Sequence, residues 1–108
     1  SIWSVISKSQ RTLYSTMKAG INGMTRSMSV EWGNRGILIN SISPGFVNTE
    51  LTKNSLSKQE MNNLEYQIPL NRFAETNEIA EVVSFLVSRK NNYITGQNIV
   101  VDGGFSII

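Results

Sequence analysis

Residues 36–45 read GILINSISPG, a short apolar run closed by Pro44-Gly45. Its length and its isoleucines favour a buried strand of a parallel sheet over another helix. Upstream, residues 12–34 place Leu13, Met17, Ile21, Met24 and Met28 in steps of three and four, the spacing of a helix face. Gly36, following Asn34-Arg35, suits the left-handed residue that ends such a helix. Downstream, residues 46–56 read as a polar loop. Ser57 with Glu60 forms a capping-box pattern, so a short helix is expected over 58–67, ended by Pro69. NEIAEVVSFLVS (77–88) is a second amphipathic helix, with Ile79, Val82, Val83 and Leu86 on one face. Glu75 and Glu78 stand near its positive N-terminal end. GQNIVVDGG (96–104) reads as a strand closed by a Gly-Gly turn.

The resulting order is helix, strand, helix, helix, strand. Two apolar strands joined by a long crossover suggest a right-handed parallel unit. Two strands alone make a poor sheet, because parallel strands want neighbours and cover on both faces. The expectation is therefore part of a larger α/β fold, without internal repeat or linker.

The chain has 108 residues, enough for at most one small domain. Its formal charge is +2, and Arg89-Lys90 is the only adjacent pair among ten scattered cations. No nucleic-acid partner is expected of such a distribution. Nor is a membrane partner, since no apolar run is long enough to span a bilayer. Cysteine and histidine are both missing, which excludes disulfides, thiolate nucleophiles, zinc fingers and His-dependent triads. Asp102 is the single Asp among eight acids, so no metal site is expected. Chemistry must come from Ser, Thr, Tyr, Lys, Arg, Asn or Glu, or from a borrowed cofactor. The chain does not start with Met, and its first residue is expected to lie inside a longer protein.

LYSTMKAG (13–20) sets Tyr14 four residues before Lys18. Residues so spaced share a helix face, with Cβ atoms roughly 5–6 Å apart. A free tyrosine titrates near pH ~10, and a neighbouring ammonium favours its phenolate. The pair is a workable acid/base for interconverting an alcohol and a carbonyl. Alone, it reads more readily as two amphipathic residues on a helix surface.

Ser1 lies thirteen residues before Tyr14, NSISPGFVNTEL follows at 40–51, and ITGQNIVVDGG follows at 94–104. In this order and spacing the chain resembles the C-terminal half of a short-chain dehydrogenase/reductase, of the 3-oxoacyl carrier-protein reductase type. The resemblance covers essentially all of residues 1–108 and implies the corresponding part of a doubly wound Rossmann-type parallel sheet, with two strands and three to four helices. It implies hydride transfer between NAD or NADP and a small carbonyl or alcohol substrate. Tyr14 matches the family's proton donor. Lys18 matches the lysine that holds the nicotinamide ribose, and Ser1 the serine that hydrogen-bonds the reacting oxygen. Pro44 and Gly45 resemble the turn facing the cofactor, with Val47 near the nicotinamide carboxamide and Thr49 a hydroxyl contact. A cytoplasmic homo-oligomer, dimer or tetramer, is the family's implication for the complete protein, with the long helix as a frequent contact.

What the family places before its serine is missing from this sequence. That includes the Gly-rich pyrophosphate turn, the residue separating NAD from NADP, and the catalytic asparagine. The 108 residues by themselves are accordingly expected to be inactive. The other reading is a non-catalytic remnant that serves as a dimerisation or interaction module. Met17, Met24 and Met28 are expected in a core or a subunit contact, and Gly20 and Gly23 could allow close helix packing. Trp3 and Phe46 could line a substrate pocket or pack internally.

Overall fold

The computed structural model describes all residues, Ser1–Ile108. After a short 3-10 turn at Ile2–Ser4 comes the long helix α1 (Thr12–Trp32), extended by a 3-10 turn, Gly33–Arg35. Gly36 ends it in the left-handed region, φ 73°, as its position suggested. Strand β1 (Ser41–Pro44) follows, then α2 (Glu50–Ser55), α3 (Lys58–Tyr66), α4 (Thr76–Val87), β2 (Asn98–Val101) and a last 3-10 turn, Phe105–Ile107. β1 and β2 are parallel, with Ser41 opposite Asn98 and Pro44 opposite Val101. The expected crossover unit is present, with three helices between its strands.

β1 is shorter than its apolar run. Residues 37–40 lie outside the ladder because side chains take its place there. Ile39 N–H donates to Thr95 Oγ1 at 3.0 Å, and Asn40 Nδ2 donates to the Ile94 carbonyl at 2.8 Å. The loop expected over 46–56 contains α2. Thr49 Oγ1 accepts the Thr52 N–H at 3.2 Å, and Glu50 stands in the first turn with Lys53 3.3 Å away. The Ser57–Glu60 capping box of α3 is complete, and a second one, Glu75–Glu78, opens α4.

The main departure concerns α1. Its apolar stripe faces outward, with Leu13 74%, Met17 54% and Met24 55% exposed. The buried face is Asn22, Thr25 and Ser29, in steps of three and four. A core role for Met17 and Met24 is overturned. Small polar side chains permit a close approach to the sheet. A Cβ at Gly96 (φ 71°) would come within 2.7 Å of Ser29 Oγ. Gly20 and Gly23 meet no neighbouring element that would require a glycine.

Only Ile2, Ile68 and Phe73 are buried apolar residues, against six buried polar ones. Packing is completed by an aromatic cluster in which Phe46 stacks on Phe73 at 5.4 Å and meets Phe105 edge-on at 5.2 Å. Trp3 joins it through Phe105 at 6.5 Å. The accessible surface is 7492 Å², against about 6,000 Å² for a compact monomer of this mass. The radius of gyration is 15.3 Å, against about 13 Å for a compact domain of this length.

Candidate active site

Tyr14 and Lys18 sit one turn apart at the start of α1, and the Lys18 ammonium lies 5.3 Å from the centre of the Tyr14 ring. Neither residue has a carboxylate partner: the chain's two ion pairs are Lys53–Glu50 and Arg72–Glu78. Ser1 caps the first 3-10 turn, its Oγ accepting the Trp3 N–H at 3.3 Å. Helix spacing brings Tyr14 and Lys18 to one face, and a hydroxyl pair ties the first turn of α1 to the preceding loop, Ser7 Oγ and Ser15 Oγ lying 2.8 Å apart.

A polar chain ties this corner to the sheet. Ser43 Oγ donates to Asn98 Oδ1 at 2.8 Å. Its proton being committed, the hydroxyl of Ser4, 2.8 Å away, must donate to it. Ser41 Oγ shares one proton between Asn98 Oδ1 and Asn22 Oδ1, at 3.2 and 3.0 Å. The loop after Ser1, both strands and α1 are joined through Asn98. Sequence reading passed over this hub; its only signal was an amide inside an apolar strand.

Pro44 and Gly45 stand at the C-terminal end of β1, where open α/β sheets bind ligands. Gly45 is fixed by Asp102, since a Cβ there would lie 2.7 Å from the aspartate's Cβ and 2.8 Å from its Cα. Val47 bridges to Ala74, with Asn48 N–H donating to the Ala74 carbonyl at 2.8 Å. Thr49 Oγ1 caps α2 as an acceptor and also lies 3.0 Å from Thr52 Oγ1, with either hydroxyl able to donate. Between them Asn48 Oδ1 is buried without a partner, while its Nδ2 donates to Glu75 Oε1 at 3.0 Å. An orphaned acceptor in this segment fits a ligand that brings N–H donors, as a nicotinamide carboxamide does. The unpaired Lys18 likewise fits a polyhydroxylated ribose. The residues present are compatible with such a cofactor.

A parallel pair of strands joined by a crossover of three helices defines an α/β unit. The family model described as Enoyl-(Acyl carrier protein) reductase matches residues 1–106, and the chain belongs to the short-chain dehydrogenase/reductase family. Among curated relatives it is 45% identical over 91 residues to a 3-oxoacyl-[acyl-carrier-protein] reductase of Staphylococcus epidermidis, covering 84% of this chain and 37% of that protein. A solved short-chain dehydrogenase family protein from Francisella tularensis superposes with a TM-score of 0.93 at 33% identity, over 100% of this chain and 49% of that one. A 4-hydroxyisoleucine dehydrogenase complexed with NADH gives 0.92 at 32% identity, over 98% and 44%. The fold is of the Rossmann type those structures share, and the chain spans well under half the length of the curated relatives it matches. No helix is long and apolar enough to cross a membrane.

Proposed function

We propose that residues 1–108 are the active-site portion of an NAD- or NADP-dependent oxidoreductase that interconverts a carbonyl and an alcohol on a small molecule. The observation that carries this reading is the Lys18 ammonium held 5.3 Å from the Tyr14 ring with no carboxylate to neutralise it. In the reducing direction the Tyr14 hydroxyl gives its proton to the substrate oxygen, and Lys18 stabilises the phenolate left behind. The Ser1 hydroxyl donates a hydrogen bond to the same oxygen, steadying the charge that develops there. When bound, the cofactor supplies or accepts the hydride. Lys18 would hold its ribose hydroxyls, and the segment Pro44, Gly45, Val47 and Thr49 its nicotinamide end.

The excess of surface over a compact monomer, and the open edge of each strand of a two-stranded sheet, support this portion folding against further chain. The exposed Leu13–Met17–Ile21–Met24 stripe supports a homo-oligomeric contact through α1. In the full-length gene product, Tyr14→Phe is expected to lower kcat by about 100-fold or more, the usual worth of a general acid, with cofactor affinity little changed. Lys18→Ala is expected to weaken both. Near-normal turnover by Tyr14→Phe would remove the assignment.

A further inference from the structure

A cleft of about 570 Å³ opens beside this corner, walled by Trp3, Ile6, Lys8, Gln67 and Phe105. It adjoins the candidate site through two bonds already described: Trp3 N–H donates to Ser1 Oγ, and Ser7 on the cleft wall meets Ser15, the neighbour of Tyr14. Its walls are largely aromatic and aliphatic, yet Lys8 lines it and Arg11 lies near the ring of its Trp3. Lys8 Nζ lies 5.3 Å from the Trp3 ring centre and the Arg11 guanidinium 6.0 Å from the same ring, so they are no more than 11.3 Å apart.

Nothing on the chain answers that charge. Residues 1–30 contain four cations (Lys8, Arg11, Lys18 and Arg26) and no carboxylate. The two ion pairs of the chain lie elsewhere. Asp102, which precedes the turn carrying Phe105, commits one oxygen to the Gly104 N–H at 2.9 Å and the other to the Ser106 N–H at 2.8 Å. An ammonium and a guanidinium gathered about one indole ring suit an oxyanion, which each can bind with charge-assisted hydrogen bonds.

We propose that the substrate is a small anionic carbonyl or alcohol compound whose carboxylate or phosphate docks on Lys8 and Arg11 over Trp3; this rests on the carbonyl–alcohol reading above. The pair is a specificity device and takes no part in proton transfer.

The test uses the full-length gene product and the Lys8→Gln/Arg11→Gln double variant. Turnover is compared for a keto acid, a phosphorylated ketone and the methyl ester of the keto acid. The acid-to-ester ratio of kcat/KM is expected to fall about tenfold in the double variant, through KM rather than kcat, with Lys8→Arg retaining most of it. Whichever anion loses more identifies the headgroup. An unchanged kcat/KM for both anions overturns the proposal. Calorimetric titration with glutarate, inorganic phosphate and neutral glutaramide supplies a readout free of turnover. If no carbonyl compound is reduced and Tyr14→Phe changes nothing, the parent reading fails. The titration then stands by itself: tenfold weaker anion binding in the double variant upholds the anion site, and equal binding overturns it.

Discussion

Gly45→Ala should separate the two strands at the end where the segment proposed to face the cofactor begins. The added methyl would sit 2.7 Å from Asp102 Cβ and 2.8 Å from Asp102 Cα. Carbon atoms pack comfortably at about 3.5–4.0 Å, so roughly 1 Å of relief is needed. It cannot come from a rotamer change, because the obstructing atoms are the backbone and first side-chain carbon of Asp102. The strand ends must move apart, and Gly45 N–H, now 2.9 Å from the Val101 carbonyl, would pass beyond hydrogen-bonding distance. Overpacking costs about 1–3 kcal/mol and the lost bond about 0.5–1.5 kcal/mol net, giving roughly 2–4 kcal/mol together. Urea unfolding of the full-length gene product should show that loss. Cofactor titration should show weaker binding as Phe46–Thr49 shifts. A stability change within about 0.5 kcal/mol, the scatter of an ordinary surface substitution, combined with unaltered cofactor affinity, would refute the reasoning.

The Arg72–Glu78 pair gives an acid-limb prediction. The guanidinium, at 2.6 Å, and the Glu75 N–H hold the Glu78 carboxyl at about 2, well below its ordinary 4.5. A depressed carboxylate contributes stability that is present above its unfolded value and lost as pH falls from about 4.5 toward about 2. Glu78→Gln should flatten that limb of the stability profile, and an unchanged acid transition would count against the contact. For α1, Met17→Lys with Met24→Lys is expected to shift the sedimentation profile of the full-length gene product toward smaller species; an unaltered profile would remove the helix as a contact.

The elements themselves were written locally. The capping box at Ser57–Glu60, the left-handed Gly36 and the Pro-Gly end of β1 each act over a few residues, and the structure has all three. Tyr14 and Lys18 were equally legible, since four residues on a helix bring two side chains together whatever surrounds them. α2 was missed, because a threonine cap followed by one acid is a weak signal inside a polar stretch.

What the sequence determined by itself is the order of the helices and strands other than α2, and the Tyr14–Lys18 spacing, because both depend on periodicity and on neighbours along the chain. Which face of α1 turns inward was decided only by tertiary structure. Apolar periodicity pointed to Leu13, Met17, Ile21 and Met24, whereas the sheet received Asn22, Thr25 and Ser29. The polar face wins because its side chains are short enough for close approach at Gly96, and because Asn22 and Ser41 satisfy each other's hydrogen-bonding groups. The Asn98 hub and the meeting of Gly45 with Asp102 have the same origin, groups 19 to 57 residues apart whose pairing exists only once β1 and β2 lie in register.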